Sequence, residues 1–161
     1  MQQDMSIKHK ILIVEDEADI RQVLCFFLSH SGFDVLDVPN GQEAIRVIPE
    51  YRPHLIILDL MMRPVSGWDV LHWLRTVHQS STLPVLIVTA LVHLSDQARG
   101  FEEGATEYIT KPLQPSTLIE RVRTILSLTA EERLLRQRKR IDEQRKMLER
   151  LYAAQPDEFA Y

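Results

Sequence analysis

Four candidate strands of this 161-residue chain end on residues that can do chemistry. The apolar run Ile11-Leu12-Ile13-Val14 stops at Glu15-Asp16, and His54 to Leu58 stops at Asp59. Leu83 to Val88 leads into Thr89, and Glu107 to Thr110 leads into Lys111. In open parallel sheets, ligands bind outside the carboxyl ends of the strands. One such edge would hold three carboxylates, a hydroxyl and an ammonium. Carboxylates that close together raise one another's pKa values, and a hard divalent cation removes that cost. Mg²⁺ prefers oxygen ligands in octahedral geometry and keeps several waters. Asp16 and Asp59 would each supply an oxygen, a backbone carbonyl just after Asp59 a third, and Glu15 would hold a metal-bound water. Asp59 could then attack phosphorus, because a carboxylate can form an aspartyl phosphate. The cation and Lys111 would neutralise charge on the transferring phosphoryl group, and the Thr89 hydroxyl would donate one hydrogen bond. Each residue alone is ordinary, since a strand-end carboxylate is more often a solvated turn residue. The set is informative because its members end four strands in order.

The elements that must hold these residues follow from the pattern. Continuous apolar runs suit strands buried on both faces. Phe33 to Val38 adds a weaker strand between the first and third. Helical spacing covers Asp19 to His30, closed by Ser31-Gly32, and Trp68 to His78. Gly41 to Ile48 is a short helix, ended near Pro49 and at the latest by Pro53. Val92 to Glu103 stops at Gly104, and Ser116 is expected to cap a further helix. Five strands alternating with helices define an α/β fold with a parallel sheet. Beyond Leu128 there is no Gly, and no Pro before Pro156, so a helix is expected from about Ala130 to Tyr152. It could continue the preceding helix without a break, and residues from Ala153 on are expected to fray.

Hydrophobic residues make up 45% and charged residues 26%, enough for one domain with a sizeable core and an appendage. Residues 1–128 carry 11 Lys and Arg against 16 Asp and Glu, whereas residues 129–152 carry 8 against 5. The acidic part argues against nonspecific binding of nucleic acid. The basic part is mixed in sign and reads first as a solvated helix, so direct nucleic-acid binding is not expected. The single cysteine, Cys25, lies in an apolar run and is read as a small buried hydrophobe. No run approaches the ~18 apolar residues of a membrane span, and no signal-peptide core is present at the N-terminus. The expected location is cytoplasmic, with no membrane partner.

With the motifs in this order, residues 8–128 resemble a response-regulator receiver domain of two-component signalling, the fold of the chemotaxis regulator. The motifs stand as Ile-Val-Glu-Asp-Glu (13–17), Leu-Asp-Leu-Met-Met (58–62), Val-Thr-Ala (88–90) and Ile-Thr-Lys-Pro-Leu (109–113). The resemblance implies a doubly wound, flavodoxin-like sheet of five parallel strands in the order 2-1-3-4-5. It implies that Asp59 is the phosphoacceptor, Glu15 and Asp16 the acidic pair, Thr89 the switch hydroxyl, Lys111 the phosphate-binding lysine and Tyr108 the switch aromatic. It also makes the Met61 backbone carbonyl a metal ligand and Lys111–Pro112 a cis peptide. The partner would be a histidine kinase or phosphotransfer protein, and the transfer would depend on Mg²⁺. Such a module is a switch with self-catalysed phosphorylation and slow autodephosphorylation, not an enzyme in the usual sense. One departure stands in the loop after Asp59. Arg63 occupies the usual proline position and Pro64 follows it, while Met62 and Gly67 keep their places.

The resemblance further implies that phosphorylation reaches the surface made by the fourth helix, fifth strand and fifth helix. In regulators with winged-helix outputs that surface is a dimer interface. Glu107 and Arg121 fall on one of its ion pairs, but Gln97 and Thr117 stand where charges are typical. A homodimer through this face therefore has partial support. The C-terminal helix repeats Leu134, Ile141 and Leu148 every seven residues, with Gln137 and Gln144 at the other seam positions. It could pair two copies as a coiled coil, pack on its own domain, or link to an output domain. The expected organisation is a receiver domain over 1–128 and a helical extension over 129–161. The competing reading is a pseudo-receiver or scaffold that oligomerises through the coiled coil without phosphorylation. A haloacid-dehalogenase-type phosphatase is disfavoured, because Met61 stands where that family has a second Asp.

Overall fold

The computed structural model describes residues 7–78 and 82–154. Strands β1 (Lys10–Val14), β2 (Asp34–Val38), β3 (Leu55–Leu58), β4 (Val85–Thr89) and β5 (Glu107–Thr110) form one sheet in the order β2-β1-β3-β4-β5. All four pairings are parallel. This is the doubly wound, flavodoxin-like arrangement expected. The three central strands are apolar except at Lys10, which opens β1, and Thr89, which closes β4, because both faces of a parallel sheet are covered. Successive side chains point to opposite faces, so each strand feeds two cores. Leu12, Val14, Ile56, Leu58, Val85 and Ile87 meet one set of helices. Ile11, Ile13, Leu55, Ile57, Leu86 and Val88 meet the other.

The first face is covered by α2 (Gly41–Tyr51), α3 (Gly67–Thr76) and α4 (Leu94–Glu102), which contribute Ala44, Ile48, Leu71, Leu74 and Phe101. The second is covered by α1 (Ala18–His30) and α5 (Pro115–Ser127), through Leu24, Leu28, Leu118, Val122 and Ile125. Cys25 is half-buried against this second core, and burial pushes its thiol up to about 11. That suits the packing role expected of it.

The helix ends differ from expectation at several places. Helix α2 runs through Pro49 to Tyr51. The proline lacks one N–H, but Arg52 N donates to the Ile48 carbonyl and the Tyr51 hydroxyl to the Asp34 carbonyl, which fastens the last turn. Helix α5 begins at Pro115 rather than after a Ser116 cap, with Gln114 at the cap position. Proline suits a first helical position because its φ is already helical and its missing N–H would have had no partner. Finally, α6 (Ala130–Ala154) does not continue α5. Leu128 is extended, and the Thr129 hydroxyl accepts from Glu132 N as a new cap. The expected fraying is absent at Ala153 and Ala154, and residues 155–161 lie outside those described. Several other ends move by a residue or two, as termini do.

The loop after β3 is held by a close backbone approach at Gly67. A Cβ there would collide with the Asp59 carbonyl and stand 2.6 Å from Leu60 Cα. Ser66 and Asp69 cap α3 reciprocally just beside it, Ser66 N donating to Asp69 and Asp69 N to Ser66. Gly67→Ala is therefore expected to lower the unfolding free energy by roughly 1–3 kcal/mol, as overpacking does. A urea titration checks this, and a variant as stable as the parent would contradict the close packing.

Candidate functional site

Parallel strands of similar length bring their carboxyl ends to one edge. There Asp59 N donates to the Val14 carbonyl at 3.0 Å, which sets the acidic ends of β1 and β3 side by side. Glu15 and Asp59 are buried and Asp16 is exposed. Each of the three offers an oxygen, and these oxygens lie within 4.8 Å of one another. Lys111 follows β5 and crosses the edge. Its Nζ donates to Glu15 Oε2 at 2.7 Å and to Asp59 Oδ2 at 3.1 Å. Its backbone N donates to the Thr89 carbonyl at 2.8 Å, tying it to the fully buried Thr89. The other Asp59 oxygen accepts from Met61 N at 3.1 Å. Both Lys111–Pro112 and Arg63–Pro64 are cis; the first was expected from the resemblance and the second was not.

The electrostatics follow from the burial. Desolvation pushes the Glu15 carboxyl up to about 6, although Lys111 works against the rise, and the Asp59 charge adds to it. Burial pulls Lys111 down, but its hydrogen bond to Glu15 and the Asp59 charge outweigh that and hold it above the ordinary lysine range. The edge therefore carries more negative charge than its one ammonium compensates.

Tyr108 lies inward on β5. Its hydroxyl donates to the Leu91 carbonyl at 2.9 Å, and Leu91 N donates to Thr89 Oγ1 at 3.4 Å. Burial, with Asp96 and Asp59 nearby, raises the Tyr108 hydroxyl above its usual range. Glu107 and Arg121 pair within the chain at 2.8 Å. Glu107 is almost wholly buried and also accepts from Arg136 at 3.1 Å and Arg140 at 3.3 Å, both on α6. These two arginines were missed as partners, because the run 136–140 reads as a solvated basic stretch. Their four-residue spacing, on the side of the helix that carries Gln137 and Ile141, was the available signal. Arg21 was also missed; it donates to the Glu15 carbonyl at 2.8 Å and pairs with Asp37 at 3.0 Å. No sequence pattern marked it.

Residues 11–123 match the family model described as "Response regulator receiver domain". The chain belongs to this family, the receiver domains of two-component response regulators. It is 41% identical over 119 residues to the "Probable transcriptional regulator ycf27" of Porphyridium aerugineum, covering 74% of this chain and 48% of that protein. It is 37% identical over 117 residues to the phosphate regulon transcriptional regulatory protein PhoB of Escherichia coli, covering 73% and 51%. The chain thus spans about half the length of these curated relatives. Among solved structures, the chemotaxis protein CheY4 of Vibrio cholerae superposes with a TM-score of 0.69 at 28% identity, over 73% of this chain and 98% of that one. The BeF3-activated receiver domain of Klebsiella pneumoniae RstA gives 0.68 at 28%, over 74% and 100%. No helix of the described residues is long and apolar enough to cross a membrane.

The raised Glu15 carboxyl has a consequence for stability. A group that binds protons more tightly when folded stabilises the fold below its unfolded pKa, and that stabilisation is lost as pH rises through the folded value. In metal-free buffer, the Glu15 contribution should fall by about 2 kcal/mol between pH 4.5 and pH values above 6. The difference between parent and Glu15→Gln in urea titrations at pH 4.5 and 7.5 isolates it. Parallel pH profiles for the two proteins would contradict the assignment.

Proposed function

We propose that Asp59 is the phosphoacceptor of this receiver domain, and that a phosphoryl group placed there sets its signalling state. The observation that carries the reading is the Lys111 ammonium held between Glu15 and Asp59 on the carboxyl edge of the sheet. A lysine so placed compensates a nucleophilic carboxylate before reaction and can follow the charge onto phosphoryl oxygens during it.

Three carboxylates against one ammonium, with Glu15 driven upward by burial, make a donor set suited to a hard divalent cation. Asp16 and Asp59 would hold Mg²⁺ directly with the Met61 backbone carbonyl, and Glu15 would act through a water. Bound there, Mg²⁺ would neutralise charge on the phosphoryl oxygens. An Asp59 carboxylate oxygen attacks phosphorus in line. The bond from phosphorus to the donor's nitrogen or oxygen breaks, its electron pair leaves with the donor, and the leaving group takes a proton from solvent. Lys111 exchanges its contact with Asp59 Oδ2 for a phosphoryl oxygen, and the Thr89 hydroxyl donates to another. Tyr108, tied to the Leu91 carbonyl two residues beyond Thr89, follows that movement as the switch aromatic. This is slow self-catalysed chemistry on the chain's own residue.

The donor is a histidine kinase or phosphotransfer protein. A recess of about 500 Å³ lies beside Lys111, lined by Ile20, Val23, Leu24, Pro112 and Leu113. With Val23 exposed in its wall, it offers an apolar seat from which a donor can reach Asp59. Because the curated relatives are named as transcriptional regulators, the receiver's output is proposed to be transcriptional control. The charge argument against nucleic-acid binding does not extend to the protein as a whole. The scaffold reading has no comparable support, since the middle of the helical stripe it needs, around Ile141, is seated on the chain's own domain. A dimer through Glu107 and Arg121 would require α6 to move, because its arginines cover that pair.

Acetyl phosphate with Mg²⁺ should give a slower-migrating phosphorylated band in a phosphate-affinity gel, and EDTA should prevent it. Asp59→Asn should abolish the band, whereas persistence of the modification in that variant would overturn the proposal.

A further inference from the structure

Helix α6 lies over α4 and β5, and its contacts define a seat. Gln137 Nε2 donates to the Phe101 carbonyl at 2.8 Å. Ile141 packs against the core cluster that includes Phe101 and Tyr108. Gln144 Nε2 reaches Gln97 Oε1 at 3.5 Å, and Arg145 pairs with Glu102 at 3.5 Å. Toward its C-terminus, Leu148, Leu151 and Tyr152 border a groove shared with Val92 of the loop that follows Thr89 and Leu94 at the start of α4. The middle of the stripe expected to pair in a coiled coil, Gln137, Ile141, Gln144 and Leu148, is thus turned onto the chain's own domain, while Leu134 and Leu151 stay about half exposed.

The seat is polar and shallow. No residue of α6 is fully buried. Gln144 Oε1 is buried without a hydrogen-bond partner, which weakens the packing. The Arg145–Glu102 pair is exposed, and such pairs add little. The strongest anchor is the buried Glu107 carboxylate, which accepts from Arg136 and Arg140 as well as from Arg121.

That anchor is wired to the Asp59 pocket through β5. Glu107 Oε1 accepts from Tyr108 N at 3.1 Å. The Tyr108 hydroxyl holds the Leu91 carbonyl, and Leu91 N donates to Thr89 Oγ1. Gly100 packs so closely that a Cβ there would stand 3.0 Å from the Tyr108 ring, so α4 rests on that ring. Phe101, whose carbonyl holds Gln137, is the next residue. The Glu107 anchor is thus linked to Thr89 through Tyr108 and Leu91, and the Gln137 anchor reaches the same Tyr108 through Phe101 and Gly100.

We propose that α6 is a removable cover on the face made by α4, β5 and α5. It is seated while Asp59 is unmodified and released when a phosphoryl group draws Thr89 and Lys111 toward itself. The proposal rests on the phosphoacceptor reading of Asp59 for its trigger, and on the Glu107 anchor for its resting state. Release exposes Glu107 and the rest of Arg121 on the domain, and it frees Ile141 and Leu148 on the helix to join Leu134 and Leu151, which are already half exposed. Coupling is reciprocal. A chain whose cover is loosened must bind a phosphoryl mimic more tightly.

The test uses the full chain and two readouts. Hydrogen exchange reports α6 protection, and the bound fluorine resonance reports occupancy by fluoroberyllate with Mg²⁺. In the parent, amides of 133–150 should exchange about tenfold faster or more once fluoroberyllate is bound. The doubly substituted chain, Arg136→Ala with Arg140→Ala, should show fast exchange without fluoroberyllate. It should also half-saturate at a concentration lower by about fivefold or more. Neither arginine belongs to the Asp59 pocket. Parent α6 amides that stay protected while the fluorine signal shows a filled site would overturn the proposal. So would parent-like protection in the double variant. If no bound fluorine signal appears, the phosphoacceptor reading and the trigger both fall. The double variant then decides the cover alone, fast exchange supporting it and parent-like protection overturning it.

Discussion

The ammonium of Lys111 between two buried carboxylates is the interaction on which the site depends. Lone charges taken out of water are costly, and a buried pair is tolerated only where geometry and further hydrogen bonds compensate. Here Glu15 also accepts from Glu17 N, and Asp59 from Met61 N. The lysine supplies the compensating charge, but one positive charge faces three acidic groups. That imbalance suits the edge to further positive charge, which is what the proposed phosphoacceptor role calls for. A fold with an apolar pair in these places would be easier to stabilise but could not support the proposed chemistry.

Strand β5 connects that edge to the rest of the molecule. Within five residues it places Glu107 under α6, Tyr108 under α4 and Lys111 on the carboxyl edge. Alternation along a strand sends neighbouring side chains to opposite faces, yet Glu107 folds back to accept from the backbone N–H of Tyr108. One short strand and the residue after it thus carry both the lysine proposed to meet phosphate and the group that anchors α6. The arrangement explains why Glu107, an acidic residue, can be almost fully buried. Three guanidinium groups from α5 and α6 surround it.

Most of the fold was readable because parallel sheets leave a simple trace. Strands covered on both faces are continuous apolar runs, and Ile11 to Val14, Leu55 to Leu58 and Val85 to Val88 are of this kind. The misreadings share a cause. Local preference alone ends α2 at Pro49 and caps α5 at Ser116, but the last turn of α2 is fastened by Arg52 and Tyr51, and Pro115 starts α5 on its own. Tertiary contacts and neighbouring residues overrode the nearest strong signal. The site residues could be named because each ends a strand. Arg21, Arg136 and Arg140 could not, since arginine on an amphipathic helix looks the same whether it faces water or a buried carboxylate.

By itself, then, the order of residues determined which groups could do chemistry, and at which strand ends. The physical reason is that strand periodicity and strand termination are local properties. Only the tertiary structure decided that Lys111 bridges Glu15 rather than Asp59 alone, that Tyr108 holds the Leu91 carbonyl, and that the middle of the heptad stripe of α6 turns onto its own domain. Those are contacts between residues far apart in the chain, and several arrangements satisfy the same periodicity. The stripe of Leu134, Ile141 and Leu148 is equally suited to a second helix or to a domain surface. What distinguishes them is the buried carboxylate of Glu107, which the sequence places 29 residues before Arg136 and the fold places 3.1 Å from it.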